Sequence, residues 1–176
     1  VGAETGGPVL SAAVAAAAGP STLDTLQLRL VFGLGRSDHA VLAARNVPVV
    51  FFTDSTGPCY HNVDDEVEAV DFDKLTAQSQ TAQRLVRDLV DGPERATFTT
   101  GLPLATYDDI VRIHRVLGPL HYDLDTFPPD ARAALLDRIA VVDAAVAGGR
   151  DNFPSVMTTT LLAINDIVNL ITAGEC

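Results

Sequence analysis

Tyr60 and His61 are adjacent in a short stretch of turn-forming and acidic residues, and their side chains can do chemistry together. A neutral imidazole is the commonest protein ligand for zinc, and a nearby carboxylate commonly orients it. Asp65 follows in the same stretch. A phenol such as that of Tyr60 can donate a hydrogen bond to a developing oxyanion. The stretch therefore predicts a zinc ligand with a hydrogen-bond donor and a carboxylate close by in sequence.

The spacing alone leaves a second interpretation open. A lone histidine in a loop is more often a surface or packing residue, and neither an H-x-E-x-H nor a C-x-x-C motif is present in the sequence. The acidic residues that follow His61 are also typical of a solvated turn before a helix. Both interpretations of the stretch remain open at the level of spacing.

The elements around this stretch indicate how it is positioned. Residues 26–32 alternate with period two, which is typical of a strand, and residues 47–52 are a continuous β-branched and aromatic run. Such a run predicts a strand buried on both faces. Helices are predicted at residues 8–18, 38–45 (with Ser37 as N-cap) and 71–90. This order predicts an α/β fold with a mainly parallel sheet, and it puts the 53–65 loop at the carboxyl end of a strand.

The rest of the chain is predicted to be all-helical. The helices are expected at residues 107–117, 128–147 and 154–172, and Asp91-Gly92-Pro93 separates them from the first part. We therefore expect an α/β part over residues 1–92 and a helical appendage of unassigned role over residues 93–176.

Composition excludes several classes of partner. The net charge is −11 and only 12 residues are Lys or Arg, which argues against nucleic acid and against an anionic membrane. The same charge favours cationic ligands such as peptide amino termini. Cys59 and Cys176 form either one disulfide or two unpaired thiols. Because the chain opens at Val1 with no targeting segment, we expect it to be a processed or excised piece of a longer protein.

Four segments together resemble the C-terminal part of the two-zinc aminopeptidase family, which includes bacterial leucyl aminopeptidases, aminopeptidase Y and the glutaminyl cyclases. They are Arg-Ser-Asp-His-Ala at 36–40, Asn-Val-Pro-Val-Val-Phe-Phe-Thr-Asp at 46–54, Tyr-His-Asn-Val-Asp-Asp at 60–65 and Asp-Phe-Asp-Lys-Leu at 71–75. Their order and gaps agree with the family over about residues 36–89. Residues 1–7 are also similar to the stretch after the family's central metal-binding Asp.

The resemblance implies a fold of the zinc-exopeptidase type (phosphorylase/hydrolase-like) and a role for each matching residue. His61 resembles the last zinc ligand, and Tyr60 resembles the residue that stabilises the oxyanion. Asp65 resembles the carboxylate that supports the Tyr-His loop. The floor of the site corresponds to Ser37, Asp38 and His39, although helix capping and packing explain Asp38 and His39 equally well.

The resemblance also implies two zinc ions, of whose ligands this chain supplies one. An earlier His, a bridging Asp, a Glu-Glu pair and another Asp have no candidates here, and a catalytic zinc needs three or more protein ligands. We therefore expect a fragment of a zinc-dependent aminopeptidase that is inactive alone. A companion chain or a missing N-terminal segment would carry the other ligands. The substrate would be a peptide or protein with a free N-terminus, and a secreted or periplasmic location is favoured.

Two alternatives remain beside the aminopeptidase. A non-catalytic relative would keep the fold as a binding or scaffold domain. A glutaminyl cyclase-like acyltransferase would fit the spacing from His61 to Asp64 and Asp65. The Tyr60 side chain favours the peptidase over the cyclase.

Overall fold

The computed structural model describes residues 1–53, 60, 61, 63 and 65–172, with the backbone alone at residues 121–123. The chain divides into two compact units, and each is described by itself. Unit 1 comprises Val1–Thr53 and Glu68–Leu104, and unit 2 comprises Asp54–Val67 and Ala105–Cys176. The predicted division at residue 92 stays a prediction.

Unit 1 contains three α-helices, and the residues at their starts explain two of them. Pro8 lies in the first turn of α1, where its missing N–H costs nothing. Asp71 caps α3, because its carboxylate accepts a hydrogen bond from Lys74 N at 2.9 Å. The elements are α1 (Gly7–Ala18), α2 (His39–Ala43) and α3 (Phe72–Asp91), with 3₁₀ turns at Ala3–Gly6 and Leu30–Gly33 and a further turn, Val67–Ala69, where the two units join.

The core of unit 1 lies between α1 and α3. Leu10, Val14 and Ala17 follow one face of α1 and pack with Leu85 of α3. Arg84 strengthens this contact, since its Nε donates to Ala17 O at 2.8 Å, one of the carbonyls that the last turn of α1 leaves free. The helices predicted for residues 8–18 and 71–90 are therefore confirmed, and their apolar faces meet each other.

The predicted parallel sheet is wrong, because the described residues contain no strand. Residues 47–52 are not helical, and they form no ladder with another segment among the described residues. Phe51 exchanges two backbone hydrogen bonds with Val1, of 2.8 and 2.9 Å. The N–H of Val49 goes to the Thr5 hydroxyl instead of a backbone carbonyl. A ladder needs consecutive backbone pairs, and the bonds that these residues make are isolated.

The other predicted strand and the predicted burial are also wrong. Residues 26–29 have no regular structure, and Leu30–Gly33 is a 3₁₀ turn. Gly2 N reaches Leu28 O at 3.0 Å as a single bond. The run at 47–52 was expected to be buried on both faces, but Val47 is 42% exposed. Alternating and β-branched residues indicate that a segment can join a sheet. They do not indicate whether another strand lies beside that segment.

Unit 2 is built from three long helices, as the apolar spacing predicts. They are α4 (Tyr107–Asp123), α5 (Pro129–Ala147) and α6 (Gly149–Thr172). A 3₁₀ turn, Leu124–Thr126, lies between α4 and α5. The helices pack on one another through buried aliphatic side chains such as Ile110, Leu135 and Ile167. The Tyr107 hydroxyl also donates to Val146 O at 2.9 Å, which ties the start of α4 to the end of α5.

Helix α6 is long and apolar enough to cross a membrane by length and composition. The core helix of a soluble protein passes the same test, and α6 packs along α5 in unit 2. The expectation that no membrane is involved therefore stays a prediction.

The start of α4 carries a capping box. Thr106 N donates to Asp109 Oδ2 at 2.7 Å, and Asp109 N donates to the Thr106 hydroxyl at 3.3 Å. Asp109 is only 2% exposed. Its carboxylate therefore satisfies a backbone donor at the helix end in a place that solvent barely reaches.

Replacing Asp109 by Ala is expected to lower the free energy of unfolding by about 1–3 kcal/mol, because Thr106 N loses its acceptor. Urea unfolding followed by circular dichroism measures the change. The control is Asp137→Ala on an exposed position of α5, for which a change within about 0.5 kcal/mol is expected. Equal stabilities of the two variants would contradict the role assigned to the capping box.

Candidate active site

Tyr60 and His61 stack on each other at the start of unit 2. Their ring centroids are 3.9 Å apart and the rings are 17° from parallel. His61 is exposed and Tyr60 is half-buried. The phenol and the imidazole therefore form one aromatic pair, with the histidine ring open to a ligand.

The backbone at His61 is unusual, since its φ is +60°. Residues other than glycine adopt this left-handed region rarely, and the strained conformation costs of the order of 1 kcal/mol. Such strain clusters at functional sites, where the surrounding structure holds it in place. The turn therefore presents the imidazole in a conformation that a helix or strand could not provide.

Other residues of the Tyr-His loop are placed less fully. Asp65 is exposed and has no hydrogen bond or ion pair to another described residue. Asp64 lies outside the described residues, and so do Cys59 and Cys176. The supporting role predicted for Asp65 and the pairing of the two cysteines therefore stay open.

Ser37, Asp38 and His39 belong to unit 1, whereas Tyr60, His61 and Asp65 belong to unit 2. Ser37 was expected to be an N-cap, but α2 begins at His39 and Asp38 occupies the N-cap position without a side-chain hydrogen bond. Helix α2 is also shorter than predicted, since it ends at Ala43. Ser37 and Asp38 are exposed and His39 is buried. Their role in shaping the floor of a site stays a prediction.

His39 is the buried histidine of unit 1. Its ring stacks on Phe51 with centroids 4.4 Å apart and an angle of 14°. Burial lowers the pKa of His39 below its ordinary value, while Asp38 raises it by a smaller amount. The ring is therefore neutral near pH 7. Its sequence position predicted packing as one alternative, and the packing is confirmed.

Thr5 joins the N-terminal segment to residues 47–52, although no sequence motif singles it out. Its hydroxyl donates to Gly2 O at 2.7 Å and accepts from Val49 N at 2.9 Å. Thr5 is buried, so both bonds are shielded from water. A single threonine between Glu4 and Gly6 carries no motif, and only its position beside Val49 in the fold reveals the role.

A cleft of about 730 Å³ lies in unit 1. Its lining includes Leu30, Val31, Leu34, Leu102 and Leu104. The cleft has a volume typical of small-molecule sites. Leu30 and Val31 belong to the Leu30–Gly33 turn, so this turn forms part of the lining.

The described residues do not by themselves fit a zinc ion. No group of three His, Cys, Asp or Glu side chains lies close enough to hold a metal in the part of the chain that the structure describes. A zinc site needs three or four such ligands at about 2.0–2.3 Å. The imidazole of His61 can be one of these ligands. It is also exposed, so a metal ion can reach it.

Comparison with models of known protein families matches residues 3–86 to peptidase family M28. Neither the curated proteins nor the solved structures gave a match. The matched residues include α1, the Ser37-Asp38-His39 segment and the Tyr60-His61 pair. Members of family M28 are peptidases and are generally zinc-dependent. The match supports the M28 zinc-peptidase family for residues 3–86, without selecting a subfamily within it.

Proposed function

We propose that this chain supplies part of the active site of a zinc-dependent aminopeptidase. The observation that carries the proposal is the match of residues 3–86 to peptidase family M28. The stacked Tyr60-His61 pair supports it, because an exposed imidazole in a strained turn lies inside the matched segment. In this proposal His61 is one zinc ligand of a two-zinc site.

The remaining ligands and the general base come from residues outside the described part of this chain. A companion chain or a further segment of the same protein carries them. This follows from the donor set, since His61 alone cannot hold a catalytic zinc. The chain by itself is therefore expected to be inactive.

Tyr60 acts through its hydroxyl. In peptide hydrolysis the carbonyl oxygen of the scissile bond gains negative charge as the tetrahedral intermediate forms, and a preorganised donor stabilises that charge. The Tyr60 ring stacks on His61, the proposed zinc ligand, so the hydroxyl and the imidazole belong to the same aromatic pair. When bound, zinc would polarise the carbonyl as a Lewis acid. Asp65 supports the loop.

The substrate is a peptide or protein with a free amino terminus. The net charge of −11 supports this class, because an acidic protein raises the local concentration of cationic groups. The effect is long-range, so added salt should weaken it.

The test uses the protein that contains this chain, purified with the companion chain or segment that carries the other ligands. We expect bound zinc by elemental analysis and hydrolysis of aminoacyl-anilides at neutral pH. A chelator should abolish the hydrolysis, and added zinc should restore it.

Other results would contradict the proposal in distinguishable ways. Zinc-free protein without hydrolysis would indicate a binding or scaffold domain. Release of ammonia from a peptide with N-terminal Gln, without anilide hydrolysis, would indicate a cyclase.

A further inference from the structure

His39 is enclosed by three segments of unit 1 and forms no hydrogen bond. It is 5% exposed, and neither Nδ1 nor Nε2 has a partner in the described part of the chain. One face of the ring lies on Phe51. Its edge lies against Gly33, where an added Cβ would be only 2.4 Å from Nε2. The ring therefore fills the space between α2, the Leu30–Gly33 turn and residues 47–52.

The charged groups around His39 are few. Neither the Leu30–Gly33 turn nor residues 47–52 contain a titratable side chain. On its own helix the neighbour is Asp38, which favours a charged ring. Burial disfavours a charged ring, and its effect on the pKa of His39 is larger than that of Asp38. The surroundings are consequently apolar, apart from Asp38.

Protonation changes what the ring requires. A neutral imidazole carries one N–H donor, but an imidazolium carries two and has a positive charge. A buried charge without a hydrogen-bond partner is costly, so the protein relieves the cost by neutralising the group or by exposing it. The contact with Gly33 leaves no space for a water molecule at Nε2 in the closed arrangement.

We propose that His39 is an acid-sensitive contact that keeps α2, the Leu30–Gly33 turn and residues 47–52 together, and that its protonation separates them. This inference goes beyond the proposed peptidase activity and does not depend on it. Because the Leu30–Gly33 turn also forms part of the lining of the cleft in unit 1, separation changes the shape of that cleft.

The direction of the pH dependence follows from proton linkage. The pKa of His39 is lowered in the closed arrangement, while an exposed histidine titrates near 6.5. The contribution of His39 to the closed state is thus complete above about pH 6.5. It decreases as the pH falls from there toward the lowered pKa, because the open state binds the proton more tightly.

Amide hydrogen exchange on the whole chain tests the proposal. The probes are the backbone N–H groups of Phe51, Leu34 and Leu42, which donate to Val1 O, Val31 O and Asp38 O. Below pH 6.5 their protection factors should fall by up to about tenfold per pH unit. Protection at buried positions of α5, such as Ile139, should stay constant over the same range. The His39 Cε1 proton, followed by NMR in the same samples, should titrate below 6.5.

Two variants complete the design. His39→Leu keeps an apolar side chain on Phe51 and removes the titration, so the protection factors should no longer depend on pH. His114→Leu is the matched control, since His114 is half-buried and pairs with Asp143 in unit 2, and it should retain the wild-type pH dependence at the three probes.

Three results would overturn the proposal. In the first, His39 titrates at or above 6.5 in the wild-type chain. In the second, the three probes keep constant protection down to the pH at which His39 is protonated. In the third, His39→Leu folds and loses protection at acid pH as the wild type does. The first two need no variant, so the proposal stays testable even if His39→Leu fails to fold.

Discussion

Replacing His61 by Asn is expected to lower kcat/KM for aminoacyl-anilide hydrolysis more than about 100-fold, with loss of bound zinc. Removing a group that only supports a zinc ligand already costs about 10–100-fold in metal affinity or activity, so loss of a ligand should cost more. Asn suits the position because the backbone φ of +60° is one that Asn adopts readily. The exposed ring makes few packing contacts, so the fold should be kept.

The measurement combines zinc content with steady-state kinetics on the protein that contains this chain and its companion ligands. His114→Asn is the control, because His114 lies in unit 2 away from the Tyr-His loop in sequence, and its Nε2 is 3.0 Å from Asp143 Oδ1 in a half-exposed pair of α4 and α5. It should retain both zinc and activity. If His61→Asn also retained both, His61 would not be a zinc ligand.

Replacing Tyr60 by Phe is expected to lower kcat by about 10²–10³-fold while zinc content and KM change little. Loss of one oxyanion donor costs about 2.7–4 kcal/mol of transition-state stabilisation. The Phe ring can keep the stack on His61, whose centroid lies 3.9 Å from that of Tyr60. The substitution therefore removes the hydroxyl and little else.

Tyr107→Phe provides the matched loss of a hydroxyl elsewhere. Tyr107 donates to Val146 O at 2.9 Å, so its removal affects the packing of α4 on α5. We expect stability to fall by about 1 kcal/mol and kcat to stay at the wild-type value. A rise in KM at constant kcat for Tyr60→Phe would assign Tyr60 to substrate binding rather than to the oxyanion.

The helices could be predicted because their signals are local. Apolar residues recur at helical spacing along α5, and Pro129 stands at its first turn, so its bounds were found within a residue. The start of α6 differs from the prediction. The sequence predicts a first turn at Pro154, but the helix already begins at Gly149 and includes Pro154. A proline near the start of a helix indicates that a helix is present, but it does not fix the residue at which the helix begins.

The sheet could not be predicted correctly because a strand depends on a neighbour that the local sequence does not describe. Residues 47–52 have the composition of a buried strand. In the fold the N–H of Val49 goes to Thr5 and that of Phe51 goes to Val1, so each residue finds a separate partner. Buried backbone N–H and C=O groups nearly always form hydrogen bonds, but the composition of the segment does not indicate which atoms are their partners.

In the candidate site, too, some features could be predicted from the sequence and others depend on residues that are distant along the chain. Tyr60 and His61 could be selected because four segments resemble a known family, whereas their spacing alone left a packing role open. The fold adds their stack and the left-handed backbone of His61. Burial of His39 without a hydrogen-bond partner could not be predicted, since it results from Gly33 and Phe51, which are distant in sequence or carry no side-chain signal. To predict a site that is built from several segments, the three-dimensional arrangement of all of those segments must be known.

The close approach of Gly33 to His39 links the evolution of two positions. Any residue with a Cβ at position 33 would press on the ring at position 39, and a smaller residue at 39 would leave a cavity beside Gly33. The residue at either position therefore restricts which side chains fit at the other. A protein with alanine in place of Gly33 should carry a side chain shorter than histidine in place of His39.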